Sequence, residues 1–225
     1  MIENIQYTPW DARIFGIGTY ELLDTSEETL NEARDIPGHL TVKVDPLQSK
    51  QLLHQYGFYY CDTLLKPSCS KETFRPFYDE RISMSRDTGL NDLLSISDGV
   101  YRHGRFHRDF HLDKSVADQR YNQWLSQLYD KGHAWGLLYD GKLAGFMACE
   151  NGRILLQALH TNFQGRGLGK YFWSTGCRTL FSAGFDEIST SISACNLAVL
   201  NIVTSLGFKI RGAVDVYHKL NTKKN

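Results

Sequence analysis

The chain has 225 residues, 42% hydrophobic and 22% charged, with 25 basic and 25 acidic side chains. That length is enough to bury a sizeable core in one or two domains. A net charge of zero argues against the large single-sign field that draws nucleic acid or a membrane surface, and no apolar run approaches the length of a spanning helix.

In chain order, residues 1–6 lack a basic segment and an apolar segment, so no signal peptide is expected there. Pro9-Trp10-Asp11 leads into Ile14-Phe15-Gly16, and residues 20–23 read as a short strand. Residues 26–34 pattern as a helix with Thr25 or Ser26 at its N-cap and acids in its first turn. A strand over 39–44 follows, then a helix over 46–56 closed by Gly57, then a strand over 58–65. Residues 66–80 carry two prolines and no clear period, and read as a linker. They separate a small N-terminal α/β domain, 1–70, from a larger one, 80–225. A strand over 81–85 and a helix over 88–101 open the second domain. Five cysteines, Cys61, Cys69, Cys149, Cys177 and Cys195, show no metal spacing, and their odd count fits reduced thiols in a cytoplasmic protein.

Residues 101–111 concentrate three histidines, three arginines and one acid, and a helix over 113–124 follows. Three readings compete. His103, His107 and His111 share a helical spacing that suggests a metal, but Gly104 argues against a regular helix and no metalloprotease pattern is present, so no metal is expected. A solvated basic loop is the second reading. The third is an acceptor-recognition loop, in which the Arg105 guanidinium pairs with phosphate and Tyr101 and Phe106 cover a base or sugar.

Strands over 134–139 and 143–149 flank Asp140-Gly141, a two-residue hairpin signal. The apolar run 154–159 reads as a buried strand. It turns into Gln164-Gly-Arg-Gly-Leu-Gly-Lys170 and then a helix over 168–181. Strand, glycine-rich turn and helix start make an anion cradle: unpaired N–H groups leave the first helical turn, the macrodipole adds positive charge, and glycines let a phosphate approach. The spacing fits neither a Walker loop, since Tyr171 follows Lys170, nor a dinucleotide fingerprint. A strand over 186–193 and a helix from Asn196 to Gly207 follow, then Phe208 and an expected hairpin over 209–220 turning near Gly212. Residues 221–225 read as a frayed tail. Helix, Gly57, Phe58, strand is echoed by helix, Gly207, Phe208, strand, which suggests an internal structural repeat.

Gln164, Gly167 and Gly169 resemble the Arg/Gln-x-x-Gly-x-Gly/Ala loop of the GNAT acetyltransferases, and the element order of residues 80–220 resembles that family too. Arg105-Phe-His-Arg-Asp109, Gln119-Arg-Tyr-Asn-Gln-Trp124 and the opening Pro9 to Gly16 resemble the dTDP-amino-sugar (dTDP-fucosamine type) acetyltransferases. The resemblance implies an α/β (α+β) GNAT fold, a central mixed sheet splayed at the acetyl-CoA site, with the smaller N-terminal domain on the acceptor side. It implies an acetyl-CoA-dependent N-acetyltransferase acting by direct attack on the thioester. The implied acceptor is the amine of a nucleotide-linked deoxy-amino sugar; another small amine or a protein N-terminus, and a catalytically silent acyl-CoA-binding module, are the alternatives. Neither nucleic acid nor membrane is an expected partner, and monomer and homodimer both stay open.

The resemblance assigns cofactor binding to Leu159, Gln164, Gly165, Arg166, Gly167, Leu168, Gly169, Lys170 and Asn196. It places the Leu159 backbone beside the developing oxyanion and puts Arg105, His107 and Tyr121 on the acceptor. Asp62 is the candidate base, with Asp11 as its neighbour. The position that usually holds a tyrosine acid is Val203, which cannot donate a proton; Tyr171, Cys195, Tyr217 and His218 are substitutes by residue type alone.

Overall fold

The computed structural model describes residues 4–222. The chain runs through β1 (Ile5–Tyr7), α1 (Pro9–Phe15), β2 (Thr19–Leu22), α2 (Glu27–Ala33), β3 (Gly38–Val44), α3 (Gln51–Gln55) and β4 (Tyr59–Ser70). It continues through β5 (Ile82–Ser85), α4 (Leu90–Ser97), α5 (Arg105–Arg108), α6 (Lys114–Asp130), β6 (Ala134–Tyr139), β7 (Lys142–Glu150) and β8 (Arg153–Leu159). It ends with α7 (Gly169–Ser182), β9 (Glu187–Thr190), β10 (Ile192–Ser193), α8 (Leu197–Ser205) and β11 (Lys209–Asn221).

Two compact units interleave along this order instead of dividing at a linker. The first takes the residues up to Leu64, Arg102–Arg120, and the residues from Ala213 onward; the second takes Leu65–Tyr101 and Tyr121–Gly212.

In the first unit the strand order is β1-β2-β3-β11-β4. β1 pairs antiparallel with β2, β2 parallel with β3, and β3 antiparallel with β11, from Val44 opposite Asp215 to Gly38 opposite Asn221. Its core is Leu22, Leu30, Ala33, Leu40, Val42, Val44, Leu53, Phe58 and Tyr217. Ser26 caps α2, its hydroxyl accepting from the Thr29 amide. The predicted helix over 46–56 shrinks to α3, and Lys50 at its start supplies no side-chain cap.

In the second unit the order is β4-β9-β8-β7-β6-β5. β5 to β8 form an antiparallel meander, with Asp140 and Gly141 both at positive φ in the β6–β7 turn. β8 then pairs parallel with β9, but only at Arg153–Ser189 and Ile154–Thr190. One face of this sheet packs on α7 and α8 through Phe172, Cys177, Ile188, Val203 and Leu206; the other packs on α4 and α6 through Leu93, Leu125, Phe146 and Leu156. This is the mixed α/β architecture with a splayed sheet.

Three expectations for these segments are corrected. Residues 66–70 are strand, not linker, because β4 continues and pairs antiparallel with β9, Ser68 opposite Ser189. The expected terminal hairpin is one continuous strand, β11, which passes through Gly212 without a positive φ. On the side away from β8, β9 pairs with β4. Asn221 is no tail residue: its side-chain amide donates to the Ala33 and Ile36 carbonyls at 2.9 and 2.8 Å. The last three residues of the expected tail lie outside the described residues.

The repeated helix–Gly–Phe–strand has the same local geometry twice. Gly57 and Gly207 sit at φ +80° and +91°, a conformation that favours glycine after a helix. Phe58 N–H then donates to the Leu53 carbonyl, as Phe208 N–H does to that of Val203. Leu53 and Val203 are each buried in the core of their own unit.

Candidate functional site

The site in the second unit starts at the open edge of β8. His160 N–H donates to the Ala144 carbonyl at 2.9 Å, which makes Ala144 and His160 a hydrogen-bonded pair across β7 and β8. Pairs alternate along an antiparallel ladder, so Gly145 and Leu159 form a non-hydrogen-bonded pair, and the Leu159 N–H and C=O point away from β7. On that side the ladder to β9 ends at Ile154. The Leu159 carbonyl accepts instead from Gln164 Nε2 at 2.7 Å.

A 3-10 turn over Thr161–Phe163 carries the chain from β8 into the glycine loop. Gly165 and Gly167 have φ of +69° and +73°, and a Cβ built on either meets nothing within 4 Å. Both therefore border open space. Leu168 is buried as the N-cap residue of α7, and no side chain caps that helix. The first amides of α7 lack an intrahelical acceptor and face outward with the positive end of the helix dipole. Lys170 extends over the Phe77 and Tyr171 rings, with Nζ 4.6 and 5.0 Å from their centroids, while Arg166 donates to the Asn162 carbonyl at 3.4 Å. The loop thus borders open space at Gly165 and Gly167 and leads into the start of α7, an arrangement able to receive an anion.

Gly169 plays a different part. A Cβ there would come 2.7 Å from Ile202 Cδ1, so this glycine lets α7 and α8 pack closely. A bulky residue at 169 disturbs that contact first, not the space of a bound anion. Asn196 caps α8, its Oδ1 accepting from the Val199 amide at 3.3 Å.

Val203 is 1% exposed and packs in the core against α7. A tyrosine there would overpack that core before reaching a thiol. Among the substitutes by type, Tyr217 and His218 are buried in the first unit, whereas Tyr171 and Cys195 lie in the second, Cys195 exposed.

Sequence reasoning missed Gln157. It lies on β8 in the same face alternation as Leu159, and both polar atoms of its side chain are buried with no hydrogen-bond partner among the described residues. A buried amide left this way is costly unless something absent from the protein alone completes it. The signal in the sequence was a lone polar residue within the apolar run 154–159.

The first unit holds Asp62, Arg105 and His107. α5 spans only Arg105–Arg108, so His103, His107 and His111 do not share a helical face. His107 Nε2 lies 2.9 Å from Asp118 Oδ1, and Arg108 donates to the fully buried Asp62 at 2.7 Å. Arg120 donates to Asp11 at 2.7 Å and stacks on Phe106. Arg105 also lies against the Phe106 ring, at 4.7 Å. A small cavity of about 10 Å³ is lined by Asp11, Glu21, His39, Thr41, Arg105 and Phe106 among others. Much of the basic loop is therefore spent on ion pairs that pin it within its own unit. Tyr121 belongs to the second unit and stacks on half-buried Tyr101, ring centroids 4.4 Å apart.

Asp109 is the hub of the first unit. His39 Nε2 and His218 Nδ1 lie 2.9 and 2.7 Å from its Oδ2, and the Tyr59 hydroxyl donates to both of its oxygens. Burial opposes ionisation of Asp109, but hydrogen bonds from His218 and His39 outweigh it and hold the carboxyl below its ordinary range. Burial pushes His218 down to about 3 despite that bond.

The family model described as Acetyltransferase (GNAT) family matches residues 103–208. No curated protein matches the chain significantly. Among solved structures, a GCN5-related N-acetyltransferase from Sphaerobacter thermophilus is similar at TM-score 0.64 and 9% identity, over 98% of this chain and 79% of that one. A GNAT-family acetyltransferase from Colwellia psychrerythraea is similar at TM-score 0.57 and 12% identity, over 89% and 78%. A tandem GNAT protein from the clavulanic acid biosynthesis pathway gives TM-score 0.55 and 13% identity, over 89% and 74%. With the sheet splayed at the end of β8 and the glycine cradle that follows it, the chain has the fold of the GNAT acetyltransferases.

Proposed function

We propose that this chain is an acetyl-CoA-dependent N-acetyltransferase whose second unit holds the donor. The observation that carries the reading is the open β8 edge running directly into an uncapped, glycine-lined helix start. The amides of residues 165–170 take the pyrophosphate, with Arg166 and Lys170 adding charge. The pantetheine arm lies along the unpaired edge after Ile154. Acetyl-CoA supplies the acyl group as a thioester. The Leu159 N–H, directed away from β7, donates to the oxygen that gains charge as the amine attacks. Gln157 offers one donor pair and one acceptor to the substrates at the same edge. The attacking nitrogen loses a proton and the departing sulfur gains one.

The acceptor is a primary amine. The resemblance of residues 105–109 and 119–124 to the amino-sugar subgroup makes dTDP-amino sugars the first acceptors to test. A mass-spectrometric screen with acetyl-CoA, dTDP-amino sugars, polyamines and N-terminal peptides decides the matter. The proposal expects one class to gain an acetyl group. Tight CoA binding with no acetylated amine would instead make the chain a silent acyl-CoA-binding module.

A further inference from the structure

We infer that His39, Asp109 and His218 form a binding site for one divalent transition-metal ion in the first unit. The three side chains come from β3, from the residue after α5, and from β11, so they are far apart in sequence. All three are buried, and their candidate ligand atoms lie within 4.8 Å of one another. The two N···O separations are 2.9 and 2.7 Å. Neighbouring ligands on an ion with bonds of about 2.1 Å stand roughly 3 Å apart, so the site needs only a small opening to admit one.

The donor set has chemistry that suits zinc-type ions. Two imidazole nitrogens and one carboxylate oxygen select zinc, cobalt, nickel or iron over magnesium or calcium, which prefer all-oxygen sites. Tyr59 brings a fourth oxygen, since its hydroxyl reaches both oxygens of Asp109 at 3.0 and 3.1 Å. Each imidazole ligates as a neutral ring once its proton has moved to its other nitrogen, so no net proton need be released from the histidines. The His218 ring packs against His39 and Phe106 and meets Asp109 through Nδ1, while its Nε2 has no hydrogen-bond partner among the described residues. Placing three ionisable side chains where solvent does not reach carries a desolvation cost. A cation bound among them offsets that cost and ties β3 to β11.

The test uses the full chain after dialysis against a chelator. Cobalt(II) is titrated while its visible d–d bands are followed, then displaced with zinc. The site predicts one cobalt per chain, displacement by zinc, and a higher Tm with zinc present. Asp109→Asn and His39→Gln, shown to be folded by circular dichroism, should weaken cobalt binding by at least about 100-fold. No stoichiometric binding to the wild type overturns the inference. So does unchanged binding in folded variants, which would assign the metal to surface histidines. Should both variants fail to fold, anomalous scattering from zinc-soaked wild-type crystals decides: a peak among His39, Asp109 and His218 supports the site, and a peak elsewhere or none overturns it.

Discussion

Gln164 Nε2 hands a hydrogen bond to the Leu159 carbonyl at 2.7 Å, so the glycine cradle is fastened to the end of the open strand by a side chain five residues on. The same contact holds the Leu159 peptide in the orientation that turns its neighbouring groups away from β7. Gln164→Ala should loosen both. A neutral hydrogen bond is worth about 1 kcal/mol net, so Kd for acetyl-CoA should rise roughly fivefold with little change in Tm. Calorimetry and a melting curve measure the two together; an unchanged Kd would detach Gln164 from the donor site.

Gln157 should behave in the opposite sense for stability. Its side-chain nitrogen and oxygen are buried without partners among the described residues. Gln157→Leu keeps the volume and removes the unsatisfied groups, which cost about 1–3 kcal/mol. We expect Tm to rise while kcat/KM falls. A fall in both would mean that Gln157 serves the fold.

Asp62 and Arg108 pair at 2.7 Å with Asp62 fully buried. This engagement favours an anchoring role for Asp62 over a base. Arg108→Ala should destabilise the chain by about 3 kcal/mol, because it leaves a buried carboxylate without its guanidinium. Asp62→Asn should lower Tm and leave kcat within about threefold of wild type. Loss of kcat at an unchanged Tm would restore Asp62 as the base.

The sequence made the second unit easier to read than the first. The apolar run 154–159, the glycines after it and Gly207 all act locally, and β8, α7 and α8 appear where their patterns put them. The fate of β4 and β11 was hidden because pairing partners far apart in sequence leave no local trace. Prolines near β4 suggested a linker, yet Pro67 lies within the strand, and Gly212 suggested a turn where the backbone stays extended. The basic loop 101–111 misled for a related reason. Charge alone does not say whether an arginine meets a ligand or, as Arg108 does, a buried acid from another segment.

The thiols offer a check on burial. Burial pushes Cys149 up to about 12 and raises Cys177 well above its ordinary value, while Cys195 is exposed. Cys61 is pushed up to about 12, by burial first and by the Asp109 charge second. Iodoacetamide near pH 8 should therefore modify Cys195 and spare the four buried cysteines, because only the thiolate reacts. Peptide mapping reads the outcome; rapid modification of Cys149 or Cys177 would contradict the packing of the second unit.

The most direct test of the donor site is isothermal titration of acetyl-CoA into the wild type and Gly167→Val. At φ +73° a valine is strained by about 1–2 kcal/mol and places its side chain in the open space beside the cradle amides. The account predicts one acetyl-CoA per wild-type chain and Kd at least about tenfold weaker in a folded Gly167→Val. Equal affinity in the two proteins would contradict it.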